Sequence, residues 1–303
     1  MMSTKIDIGK LTLKNPVLTA SGTFGYGQEF ESFIDPSLLG GIIMKGTTWE
    51  PREGNPAPRM AETSAGMLNA VGLQNKGVHH FIDKILPAIT KYDTKIIVNV
   101  AGNDVADYVK TASLLNDIER VDAIELNVSC PNVKKGGIQF GTNENLLKEL
   151  LSAVRHVYYK TLIVKLSPNV TKIEDFAKIS ESEGADAITV ANTFLGMAID
   201  INTYKPKLSN ITGGLSGPAI KPIIMRMVYQ CYQVVKIPII ASGGIMHWQD
   251  AIEYFLAGAT AIQVGTANFI NPSASIEILQ GINDYLDNNN IESIKNIIGK
   301  VKI

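Results

Sequence analysis

Eight short apolar runs punctuate the chain, each closing on a polar or small residue: Pro16–Ala20, Gly41–Lys45, Lys95–Asn99, Asp122–Asn127, Leu162–Lys165, Asp186–Ala191, Ile237–Ala241 and Ala261–Gly265. They are rich in Ile and Val and hardly alternate, which suits strands covered on both faces, as in a parallel sheet. Helical periodicity fills most of the gaps. Leu146–Val157 places Leu146, Leu147, Leu150, Leu151 and Val154 on one face, and Ile173–Glu183 and Gln249–Leu256 read the same way. Three of the runs share a local echo: DAIEL at 122, DAITV at 186 and TAIQV at 260. It marks a repeated βα unit rather than a solenoid.

Eight strands alternating with helices predict an α/β fold, a (β/α)8 TIM barrel, whose usual length is ~250 residues and often more. A doubly wound open sheet is the competing architecture, but neither GxGxxG nor a P-loop occurs. The remaining length has identifiable places. Lys5–Lys14 alternates apolar and polar residues and predicts an N-terminal β-hairpin closing the barrel floor. Thr47–Leu73 and Gly196–Pro218, rich in Gly, Pro and Asn, predict long βα-loop insertions over the C-terminal face, of the length that usually serves function. No linker or low-complexity segment interrupts residues 1–303, so the chain reads as a single domain.

Composition narrows the function. The net charge is -1 and charged residues make up 19%, which leaves no basic stripe for nucleic acid. No run approaches the ~18 apolar residues of a membrane helix, and the N-terminus lacks a signal-peptide core. The expectation is a cytoplasmic protein with no membrane or nucleic-acid partner. Two cysteines, Cys130 and Cys231, cannot build a disulfide framework or a four-thiolate site. His79, His80, His156 and His247 form no ligand spacing with carboxylates, so no metal site is assigned.

The chemistry of such a barrel gathers at the C-terminal ends of its strands. Here those ends carry Lys45, Asn99, Asn127, Lys165 and Asn192. Lys45 and Lys165 each close an apolar run, and two ammonium groups facing one pocket call for an anionic ligand. Ser242-Gly243-Gly244 after the seventh run and Gly265-Thr266 after the eighth suit a phosphate, because glycine lets backbone N–H groups approach closely. Cys130 follows the fourth run in a glycine-bearing segment with Lys134, Lys135, Gly136 and Gly137, which could form a lid; nearby lysines favour a thiolate there. Cys231 falls in a helical pattern and reads as inert core. Glu125 shares the strand phase of Asn127 and points into the barrel, with no partner evident from the sequence.

Seven stretches in order resemble the dihydroorotate dehydrogenase family of flavin enzymes: NPVLTASGTFG at 15–25, MKGTT at 44–48, NAVGLQN at 69–75, NVSCPN at 127–132, VKLSPN at 164–169, ASGGI at 241–245 and QVGTA at 263–267. The resemblance implies oxidation of dihydroorotate to orotate with FMN as cofactor. It places Ala20, Ser21, Lys45, Gly46, Asn99, Asn127, Lys165 and Ala191 against the flavin. Gly217, Gly243, Gly244, Gly265 and Thr266 would hold its phosphate and ribityl chain. Lys45, Asn69, Ala70, Val71, Gly72, Leu73, Asn127, Asn132, Asn192 and Thr193 would form the substrate pocket, and Cys130 would be the general base.

A cysteine in the base position resembles the soluble classes. KKGGIQFGTN at 134–143 and GGLSGPAIKPIIMRMVYQ at 213–230 resemble the NAD-dependent form. That form implies a partner subunit carrying FAD and an iron–sulfur cluster, and a homodimeric core within a heterotetramer. The fumarate-linked form, or a flavin enzyme acting on another dihydropyrimidine, is the nearest alternative. A non-redox lyase or isomerase using the same phosphate site is the alternative from a different class.

Overall fold

In the computed structural model, residues 3–129 and 137–302 are described. The sequence expectations for Cys130, Asn132, Lys134, Lys135 and Gly136 lie outside them. Eight parallel strands close into a barrel: β1 (Val17–Thr19), β2 (Gly41–Ile43), β3 (Lys95–Val100), β4 (Ala123–Asn127), β5 (Thr161–Lys165), β6 (Ala187–Val190), β7 (Ile239–Ala241) and β8 (Ala261–Val264). They neighbour one another in chain order, and β8 pairs with β1, Ile262 opposite Val17. These are the eight predicted runs, six of them trimmed by a residue or two and two, β3 and β5, extended by one. All eight strands are buried throughout except for the half-buried Lys95 at the start of β3. Burial on both faces is why the runs do not alternate.

The helices bury the faces their periodicity marks. Glu144–Val157 covers Leu147, Leu150, Leu151 and Val154, and its first turn is capped by Asn143, whose side chain accepts from the Leu146 amide at 3.1 Å. Ile173–Ser182 and Trp248–Leu256 occupy the other two predicted positions. The N-terminal hairpin forms between Ile6–Ile8 and Leu11–Leu13, with Ile6, Ile8, Leu11 and Leu13 buried. Lys10 donates to the Tyr159 carbonyl at 2.8 Å and Lys14 pairs with Asp93 at 3.1 Å. Both partners lie just before strands, so the hairpin sits at the N-terminal end of the barrel, as expected of a floor.

The two insertions differ from their description as loops. Phe194–Met197, Thr212–Ser216, Gly66–Asn69 and Met60–Thr63 form, in that spatial order, a four-stranded antiparallel sheet. Gly214 stands opposite Asn69 and Ser216 opposite Met67, so excursions after β2 and β6 are joined to each other. The strands escape sequence reading for a physical reason. Met60–Thr63 contains no buried residue, Thr212–Ser216 carries two glycines, and the pairing partner lies 145 residues away. Among the described residues, no helix is long and apolar enough to cross a membrane.

Candidate active site

A cavity of about 270 Å³ opens at the C-terminal ends of the barrel strands, beneath the antiparallel sheet. Strand ends supply Ala20 and Ser21 after β1, Lys45 and Gly46 after β2, and Asn99, Asn127 and Lys165 from β3, β4 and β5. Ala191, Asn192 and Thr193 follow β6; Gly243 and Gly244 follow β7; Gly265 and Thr266 follow β8. The sheet contributes Asn69, and the segments that follow two of its strands contribute Val71, Gly72, Leu73 and Gly217. Sequence reasoning therefore brought these residues to one place. Ala70 is different. It is fully buried against Leu68 and Leu208 and does not line the cavity, because its neighbours on either side take the inward-facing positions.

Among the described residues the lining contains two cations, Lys45 and Lys165, and no carboxylate. Lys45 has no carboxylate partner among the described residues, and its charge is left for whatever fills the cavity. Lys165 is nearly buried and is held from below. Its ammonium donates to Gln263 Oε1 at 3.1 Å and lies 3.8 Å from Glu125 Oε1. Glu125, fully buried, accepts from Asn99 Nδ2 at 2.8 Å and from Thr189 Oγ1 at 2.7 Å, and also from Gln263 Nε2. A buried carboxylate is tolerable only when its lone pairs are met and its charge is paired. The partner that the sequence withheld for Glu125 is thus a set of four side chains, Asn99, Thr189, Gln263 and Lys165.

Sequence reasoning missed Gln263 and Thr189, although the signal was present. Glu125, Thr189 and Gln263 are the fourth residues of the DAIEL, DAITV and TAIQV echo. They come from β4, β6 and β8, and alternate strands share an interior layer in this architecture. The echo therefore marks a polar layer beneath the cavity.

One atom of this arrangement is left open. Asn99 Oδ1 is buried without a hydrogen-bond partner among the described residues. A buried unsatisfied carbonyl costs about 1–3 kcal/mol unless a ligand meets it. Its partner Nδ2 is committed to Glu125, so the oxygen is the group presented to the cavity.

The asparagines opposite are prearranged too. Asn192 Nδ2 donates to Asn127 Oδ1 at 3.1 Å and to Ser129 Oγ at 2.9 Å. Asn192 Oδ1 accepts from the Thr193 amide.

The glycine-bearing end of the cavity is braced from outside. Gly244 has φ 68°, and a Cβ there would stand 2.9 Å from the Lys221 amide nitrogen and 3.0 Å from the Gly217 carbonyl. Only glycine leaves the backbone that close to the cavity. Asp250 accepts from the Met246 and His247 amides at 2.8 and 2.9 Å and takes Lys221 Nζ at 2.5 Å, while Tyr254 OH donates to the Gly243 carbonyl at 2.7 Å. Partial burial pushes the Asp250 carboxyl up, but the Lys221 ammonium and the two amides outweigh it and hold the carboxyl below its ordinary value.

Together these features define a TIM-barrel protein with a cationic, amide-lined cavity at its C-terminal face and a glycine cradle along one side. Residues 2–286 match the family model described as dihydroorotate dehydrogenase, and the chain belongs to that family. It is 57% identical over 303 residues to the dihydroorotate dehydrogenase B (NAD(+)), catalytic subunit, of Phocaeicola vulgatus, covering 100% of both chains. Its identity to the protein of the same description from Bacteroides fragilis is 56%, again over 100% of both. Among solved structures, that of DHODH from Eimeria tenella in complex with ferulenol superposes with a TM-score of 0.83 at 22% identity, covering 98% of this chain and 88% of that one. At that identity the likeness speaks for the fold.

The family implies a flavin, and the cavity fits one. The unpartnered Asn99 carbonyl and the amides of Asn127 and Asn192 suit a ring edged with imide groups. The glycine turns and Lys45 suit a phosphate and a carboxylate.

Proposed function

We propose that the chain oxidises (S)-dihydroorotate to orotate in pyrimidine biosynthesis, with FMN held in the cavity. What supports this reading most directly is one juxtaposition in a chain of this family. A cavity whose described residues present two ammonium groups, no carboxylate and an unsatisfied buried amide oxygen needs an anionic, hydrogen-bond-donating occupant.

Bound FMN would supply the two-electron, hydride-accepting chemistry that removal of hydrogen from C5 and C6 of the substrate requires. This chain's residues do the rest. Cys130, next in sequence to Ser129 and the Asn127–Asn192 pair, takes the C5 proton as thiolate. A thiol whose pKa is brought near the operating pH is a competent base. Lys45 pairs with the substrate carboxylate and also reaches the flavin. Asn69, Asn127, Asn132 and Asn192 hold the ring amides, with Val71, Gly72, Leu73 and Thr193 closing the pocket. Lys165 would offer positive charge to the bound group from the cavity base. Gly217, Gly243, Gly244, Gly265 and Thr266 carry the phosphate and ribityl chain.

Electrons then pass to NAD+ through a partner subunit carrying FAD and an iron–sulfur cluster, in a cytoplasmic assembly built on a homodimer of this chain. The curated relatives are named as catalytic subunits, which supports a second subunit. The insertion also exposes Leu195, Met197, Ile199, Ile201 and Tyr204, apolar surface of the kind partners cover.

The purified protein is expected to be yellow and to bleach anaerobically on addition of dihydroorotate. Protein that cannot be loaded with FMN, or whose flavin stays oxidised with this substrate, would overturn the reading.

A further inference from the structure

The buried network beneath the cavity reaches beyond packing. Glu125 is an acceptor at both oxygens, and this fixes the sense of each amide that touches it. Gln263 must turn its NH2 toward Glu125 and its oxygen toward Lys165. Asn99 must turn its NH2 toward Glu125, which leaves Oδ1 facing the cavity as an acceptor. The relay therefore runs from the Lys165 ammonium through Gln263 to the carboxylate, and from the carboxylate through Asn99 to the ligand. Thr189 donates to the same carboxylate and completes its shell.

We infer that Glu125 is a positioning residue that sets the reduction potential of the bound flavin. Its negative charge, 3.8 Å from Lys165, partly cancels the cation the cavity presents. It also commits Asn99 to receive a hydrogen bond from the ligand rather than to give one. The inference rests on the proposed FMN reading and adds to it a residue that never touches substrate or cofactor.

The sign follows from charge. Two-electron reduction adds negative charge to the ring, and a buried carboxylate nearby opposes that addition. Glu125→Gln removes the charge at nearly constant volume. It also frees both amides to reverse. The reduction equilibrium should shift toward the reduced form by at least tenfold, ~30 mV upward for a two-electron couple. Lys165→Met should shift it the other way. The double variant E125Q/K165M loses one charge of each sign and should lie between the singles, within tenfold of the parent.

The test is an anaerobic dye-coupled titration of each variant with saturating FMN, alongside its melting temperature and FMN affinity. The parent chain is titrated first. If it takes up no FMN, the functional reading falls and this inference with it. If the parent binds FMN and Glu125→Gln moves the equilibrium less than threefold, the inference alone is overturned. A carboxylate that only braced the barrel would lower the melting temperature and leave the potential in place, which also overturns it. Should Glu125→Gln fail to fold, the comparison passes to K165M against E125Q/K165M. A double variant no nearer the parent than K165M then rejects the inference.

Discussion

The two cysteines carry different expectations. Cys231 is buried in the Lys221–Tyr232 helix, and burial pushes its thiol up to about 12, so it carries almost no thiolate at neutral pH. Cys130 directly follows the polar strand end where Asn127, Ser129 and Asn192 meet. If it is the base, Cys130→Ala should retain FMN but slow flavin reduction by dihydroorotate by roughly 10²–10⁴-fold, the usual worth of a general base. Stopped-flow reduction measures this directly, and an unchanged rate would remove Cys130 from the chemistry. The candidate site was largely legible at this level because strand ends expose their chemistry in the sequence. Lys45 and Lys165 each terminate an apolar run, where the reading as a solvated strand end is weaker. Gln263 and Thr189 were passed over because a single polar residue inside a strand has no signature of its own. Only the meeting of β4, β6 and β8 gives them one.

Among the elements, the Trp248–Leu256 helix does the most for the site without touching it. Asp250 in its first turn ties down the Met246 and His247 amides and engages Lys221. Because the folded carboxyl is held below 3.8, this tie stabilises the protein above that pH and fades as acid protonates the group. Asp250→Asn should lower the melting temperature at pH 7, and the gap to the parent should close as the pH falls below 3.8. The same variant should bind FMN more weakly, since the Gly243–Gly244 turn loses its brace. Thermal scans across pH and a fluorescence titration with FMN check the two halves separately. Three helices were readable because each buries a face its own spacing declares, and the barrel strands because burial on both faces leaves unbroken apolar runs. The four-stranded sheet was not. Its strands are short, half-exposed and glycine-bearing, and the information that pairs Asn69 with Gly214 is not local.

For the molecule as a whole, the electron route is a matter of inventory. Two cysteines cannot ligate a four-thiolate cluster, and no dinucleotide fingerprint is present. The isolated chain should therefore be reduced by dihydroorotate yet fail to reduce NAD+ at an appreciable rate, and adding the partner subunit should restore NADH formation. Absorbance at the NADH band, with and without that subunit, decides the point; rapid NAD+ reduction by the chain alone would refute it. The sheet over the cavity has a consequence for how the molecule is made. Gly66–Asn69 emerges from the ribosome long before Thr212–Ser216, the strand that covers its free edge. Until that strand arrives, the hairpin offers an unpaired rim, and long-range pairings of this kind close slowly. The roof is thus a late event in biogenesis. The roof strand still precedes β7 and β8, whose ends supply Gly243, Gly244, Gly265 and Thr266, so a nascent chain acquires the complete cavity only after residue 266 has been synthesised.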